Sequence, residues 1–81
     1  MCIDYSDATD VVGAAHTSGG SIDVARAVVA FTHPMELPLG HALCIDFRAG
    51  SGDPSERIAV ELDMTSAREL AYSILGALQA V

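Results

Sequence analysis

The chain has 81 residues and a formal net charge of −7, and its four cationic side chains are all arginine. This acidic balance argues against nucleic acid and anionic membranes as partners. With 51% hydrophobic and 19% charged residues, the chain is too apolar for disorder and is long enough for a single domain, residues 1–81, with one small core.

The first half of the chain predicts two strands. Thr9 to Ala15 has the composition of a weak strand, and Asp23 to His33 is rich in Val, Ala and Phe, which is typical of a long one. The second strand ends before Pro34, because proline has no N–H for a central ladder. The turn-forming residues Thr17-Ser18-Gly19-Gly20 separate the two strands.

The second half predicts a hairpin. His41 to Phe47 and Arg57 to Asp63 both alternate apolar residues with small or charged ones, which is the period of a half-buried strand. The segment Gly50-Ser51-Gly52-Asp53-Pro54 between them favours a turn. These two segments are therefore expected to pair.

The C-terminal segment predicts an amphipathic helix. Thr65 or Ser66 is the expected N-cap, and Ser66 with Glu69 fits a capping box. The expected fold is α+β: a four-stranded antiparallel β-meander with one C-terminal amphipathic helix packed on one face (ββββα). The apolar residues at helical spacing are Ala67, Leu70, Ala71, Ile74, Leu75, Leu78 and Val81.

The loop of residues 34–40 sets a strand register. The simplest register places His33 opposite His41 and matches apolar residues at every step of one face. We expect this face to receive the helix, with the helix N-terminus at the edge that carries the histidines. The mixed opposite face is expected to contact a second subunit. The predicted apolar pairs are Phe31 with Leu43, Val29 with Ile45, Ala27 with Phe47, Phe47 with Ile58, Ile45 with Val60, and Leu43 with Leu62.

The histidine pair is the principal candidate site. Cross-strand neighbours are close enough for two imidazoles to share one metal ion or one substrate. Cys2 is the preferred third ligand of a divalent metal ion beside His33 and His41, with Glu36 or His16 as other possibilities. The structural alternative is that both histidines bond loop carbonyls at the strand ends.

A second hypothesis is a cofactor-free enzyme acting on an apolar metabolite. His33 or His41 would move a proton, and Asp46 or the helix N-terminus would stabilise charge. The structural alternative for Asp46 is an ion pair at a subunit contact, and Cys44 is interpreted as core packing. No glycine-rich phosphate loop, lysine or G-x-S-x-G elbow is present, so no nucleotide or organic cofactor is expected.

Location and assembly also follow from the sequence. No basic segment followed by an apolar run begins the chain, so we expect a cytoplasmic protein in which Cys2 and Cys44 remain free thiols. Because one small core is marginal by itself, we expect a homodimer.

The chain resembles a family of short actinobacterial proteins of unknown function. The resemblance rests on Met1-Cys2, His33-Pro34, the motif His41-x-Leu43-x-Ile45-Asp46-Phe47, and Ala59-Val60-Glu61-Leu62 before Thr65-Ser66-Ala67-Arg68. It implies that Cys2, His33, His41 and Asp46 are motif positions, and it suggests an accessory part in specialised metabolism, as a cyclase or isomerase. The family's usual Gly-Ser-Gly-Lys-Gly segment is replaced here around residues 14–20, so a lysine role would be lost.

Together these features favour a small homo-oligomeric protein that binds a metal ion or small metabolite at a Cys/His corner of the sheet. A cofactor-free cyclase or isomerase, and an interaction module whose mixed face docks a partner protein, are the alternatives.

Overall fold

Four strands and one helix form in the expected order. The structure is a computed structural model that describes residues 3–38 and 40–81. The strands form one antiparallel sheet in the order β1-β2-β3-β4, followed by the helix, which confirms the predicted ββββα fold. The elements are β1 (Ile3–Thr17), β2 (Gly20–Thr32), β3 (Ala42–Ala49), β4 (Arg57–Leu62) and α1 (Met64–Gln79).

The predicted register is confirmed at every apolar pair. In β2 and β3, Phe31 lies opposite Leu43, and the pairing continues in step towards Phe47. In β3 and β4, Leu43 lies opposite Leu62. The side-chain period of a strand is two, so a slip of one residue would have moved these apolar residues to the other face.

The first hairpin is longer and more bent than the sequence predicts. β1 begins at Ile3, well before Thr9, because it pairs along almost the whole of β2. Two residues of β1, Val11 and Val12, lie opposite the single residue Ala25, which is also an extra residue relative to β3. Such bulges increase the local twist and bend a strand. The Val12 side chain is consequently fully exposed.

The prediction of Thr65 or Ser66 as the N-cap of the helix is wrong. Asp63 is the N-cap, with its carboxylate accepting a hydrogen bond of 2.7 Å from the Ser66 N–H, and α1 begins at Met64. The helix starts earlier because the residue that directly follows β4 is a strong capping residue, so no separate connecting segment is needed. This hydrogen bonding to Ser66 lowers the pKa of Asp63 below its ordinary value.

The helix packs more loosely than its amphipathic pattern predicts. It contacts β3, but none of its residues is buried. The apolar residues Leu70, Ile74 and Leu78 are all exposed. The described residues that are buried lie in the sheet instead: Val24, Ala42 and Asp46.

Candidate functional site: the histidine end of the sheet

One end of each of the four strands lies at the same end of the sheet, which we call the histidine end of the sheet. Ile3 at the start of β1 lies opposite Thr32 at the end of β2, and Thr32 lies opposite Ala42 at the start of β3. Leu62 at the end of β4 is paired with Leu43. An antiparallel meander necessarily alternates strand starts and ends along each edge, and here His33 and His41 directly flank the last β2–β3 pair.

The two imidazole rings are in contact. The ring centroids of His33 and His41 are 4.5 Å apart and the rings are tilted by 31°. His41 also stacks on Phe31, with centroids 5.0 Å apart and an interplanar angle of 9°. Both histidines are exposed, so a small ligand in solution has access to them. The predicted proximity of the two rings is therefore observed.

A backbone carbonyl orients His33. Its Nδ1 lies 2.6 Å from the Gly40 carbonyl oxygen. A carbonyl oxygen only accepts, so Nδ1 carries the proton and donates, and Nε2 of the neutral ring holds the lone pair. This contact agrees with the structural alternative for His33. It is also the arrangement by which metal-ligating and proton-accepting histidines are held.

The predicted third ligands have different positions. Cys2 lies outside the described residues, but it directly precedes Ile3, whose backbone is paired at the histidine end. His16 is opposite Ser21 at the far end of the first hairpin. Within residues 3–38 and 40–81, no group of three His, Cys, Asp or Glu side chains is arranged to hold a metal ion. Of the described candidates, the structure brings together His33 and His41.

Glu61 anchors the loop between the histidines, and sequence reasoning missed it. Its carboxylate accepts hydrogen bonds from the backbone N–H groups of Met35, Glu36 and Leu37, at 2.6, 2.8 and 3.1 Å. These bonds, chiefly the one from Met35, lower the pKa of Glu61. The loop joins β2 to β3, so this anchor restrains the segment that carries His33 and Gly40. The signals available in the sequence for this contact were an acidic residue in the fourth strand and a loop that contains two prolines.

Asp46 is not brought to the histidine pair. Alternation along β3 puts Asp46 on the face opposite His41 and Leu43. There it accepts hydrogen bonds from Arg57 Nε, 2.9 Å from each carboxylate oxygen, and from Arg48 at 3.1 Å. The side chain of Asp46 is only 13% exposed. An ion pair of Asp46 is thus present, with partners from the same chain, and the expected subunit contact at this face stays a prediction.

Cys44 neighbours Glu61 on the same face as Asp46. It is half-buried and is a free thiol. Burial, and secondarily the negative charge of Glu61, raises the pKa of the Cys44 thiol. The thiol is therefore protonated at neutral pH, which suits packing rather than nucleophilic or ligand chemistry.

No described helix has the length and apolar character needed to cross a bilayer. Comparison with curated proteins gave no match, and comparison with solved structures gave none. The chain belongs to a family of unknown function, DUF6295, whose model matches residues 1–81.

Proposed function

We propose that this member of the family binds a late first-row divalent metal ion at the histidine end of the sheet, through Nε2 of His33 and the imidazole of His41. Cys2 supplies the third ligand. The observation that carries the proposal is the pair of exposed imidazoles in contact, one of them held by a backbone carbonyl through Nδ1. Imidazole and thiolate ligands together suit zinc and its neighbours.

The ring separation supports a shared ion. Two imidazoles bound to one ion in tetrahedral geometry, with metal–nitrogen distances of about 2.0–2.1 Å, have ring centres about 5 Å apart, and the two rings lie 4.5 Å apart, so only a small shift separates them from that arrangement. The rings are tilted by 31°. Because Nδ1 of His33 is held by the Gly40 carbonyl, the ring that would turn to direct its lone pair to the same ion is His41, about its χ2 torsion, which is broad in histidine. The net charge of −7 also favours a cation over an anion.

Backbone pairing supports Cys2 as the third ligand. Ile3 is paired with Thr32, the residue before His33, and consecutive Cα atoms are about 3.8 Å apart. Cys2 is therefore, by chain connectivity, the cysteine that we propose as the third ligand. In the reducing cytoplasm, where we place the protein, Cys2 is a thiol and is available to a metal.

Zinc titration of untagged protein tests the proposal. The probe is Zn²⁺, with a chromogenic chelator as competitor, and elemental analysis of freshly purified protein reports zinc, copper, iron and nickel. We expect stoichiometric binding by the wild type and a loss of at least about 100-fold in affinity for the His33→Ala, His41→Ala double variant, since two ligands are removed.

His16→Ala is the matched control. It removes the third histidine, which lies at the far end of the first hairpin, and should leave zinc affinity unchanged. Circular dichroism verifies that each variant is folded. Equal zinc affinity in the wild type and the double variant would overturn the proposal, as would absence of any stoichiometric metal together with no zinc uptake.

A second candidate is proton transfer without a metal, in a cyclase or isomerase of specialised metabolism. The Nδ1 contact of His33 with Gly40 favours it, because the same contact fixes Nε2 as the base. The position of Asp46 on the other face leaves charge stabilisation to other groups. A turnover that survives EDTA treatment and is abolished in the double variant would support this candidate over the metal. Undiminished turnover in the double variant would eliminate it.

A further inference from the structure

The apolar stripe of α1 is uncovered. Leu70, Ile74, Leu75 and Leu78 are 43–63% exposed, and Val81 beyond the helix is fully exposed. These residues lie on one face, at the helical spacing of three and four residues. Soluble monomers rarely leave a continuous apolar stripe in water, so this surface is suited to an interface.

The area of the whole chain supports an uncovered interface. The accessible surface is 5956 Å², whereas a folded monomer of 8.4 kDa exposes about 4,600 Å². The excess is about 1,300 Å², which lies within the range of about 1,000 Å² or more that each partner of an obligate dimer buries. The radius of gyration, 13.6 Å, also exceeds the value of about 11.7 Å for a compact domain of this length.

The distribution of charge favours the stripe as the place where a second copy binds. Two chains of net charge −7 repel each other, but residues 70–81 contain no charged side chain. This segment is therefore the part of the chain where two copies meet with the least electrostatic cost. A two-fold axis would place the same stripe on both sides, which is the commonest arrangement in homo-oligomers.

We infer that the apolar stripe of α1 is the core of a homodimer interface. The sequence pattern pointed to the mixed sheet face for this contact, whereas the larger exposed apolar surface is on the helix. The inference is independent of the histidine pair, so metal binding and dimerisation can fail separately.

Sedimentation equilibrium of the wild type and variants tests the inference. The wild type should sediment at twice 8.4 kDa, and an Ile74→Glu, Leu78→Glu double variant at the monomer mass. Val12→Glu is the control, because it places a glutamate at a fully exposed apolar residue outside the helix; it should remain dimeric. A monomeric wild type would overturn the inference, and would also be the result if the stripe served a different protein. A dimeric double variant would overturn it as well.

Two measurements on the wild type remain decisive if the double variant does not fold. The midpoint of thermal unfolding should rise with protein concentration, as it does when folding and association are linked. Amide hydrogen exchange in residues 70–79 should slow over the same concentration range. Concentration-independent exchange in these residues would place any interface elsewhere and overturn the inference.

Discussion

At the scale of single residues, the two arginines beside Asp46 are not equivalent. Arg57 Nε is 2.9 Å from both oxygens of the carboxylate, whereas Arg48 reaches one oxygen at 3.1 Å through Nη2 and 3.4 Å through Nε. Arg48 also lies directly opposite Arg57 in the β3–β4 register, and like charges at this position oppose each other. Arg57 is therefore the more important partner.

We predict that Arg57→Gln lowers the free energy of unfolding by about 1 kcal/mol, since a charged hydrogen-bond partner of a buried carboxylate is lost and solvent screening reduces the effect. Arg48→Gln should stay within about 0.5 kcal/mol of the wild type, because the repulsion from Arg57 is relieved. Urea denaturation of both variants measures the difference. Equal destabilisation by the two substitutions would contradict this assignment.

Residue-level roles could be predicted only in part. The ion pair of Asp46 could be predicted from a carboxylate in the middle of an apolar strand. Its partner Arg57 could not, because Arg57 lies diagonally opposite Asp46 on the neighbouring strand β4. The contact between His33 and His41 followed from the register alone. The bond from His33 to Gly40 depends on the loop path, which a sequence pattern does not encode.

At the scale of elements, Glu61 joins β4 to the loop between β2 and β3. Three backbone donors lower the pKa of Glu61, so the ionised carboxylate stabilises the folded state more than the protonated one. This contribution is fully present above the ordinary pKa of 4.5. It is lost as the pH falls below 4.5 and through the lower pKa of the folded state.

We predict that Glu61→Gln lowers the melting temperature at pH 7 and that the deficit shrinks progressively below pH 4.5. Thermal unfolding of both proteins across this range measures the effect. Glu36→Gln is the matched control, because Glu36 contributes its backbone N–H and not its carboxylate to this anchor. A deficit that is independent of pH would show that the charge of Glu61 does not hold the loop.

Strand pairing was the most predictable element-level property. Alternation in β2, β3 and β4 specifies one register, because any slip of one residue would expose Phe31, Ile45 and Phe47 together. The length of β1 was not predictable, since its exposed residues carry no strong apolar period and pairing with β2 determines it. The helix start was misassigned because the alternating pattern assigned Asp63 to the fourth strand, whereas β4 ends at Leu62 and Asp63 caps the helix.

At the scale of the whole molecule, the structure exposes two surface features. The histidine end collects the start of β1, the end of β2 and the start of β3, and α1 presents an exposed apolar stripe. The composition predicted a small core that needs help, and the large exposed surface agrees with that expectation. The exposure of the stripe could be found only in the structure. An amphipathic pattern is the same for a helix that covers its own sheet and for one that contacts another chain.

The central claim is that the β2–β3 register brings the two imidazoles into contact at one edge. The most direct test is a set of nuclear Overhauser effects among assigned ring protons in the metal-free protein. We predict cross-peaks between His33 and His41 and between His41 and Phe31, and none from His16 to either ring. If the His33 and His41 ring protons, once assigned, show cross-peaks only to different neighbours, the imidazoles are not in contact and the proposed site does not exist.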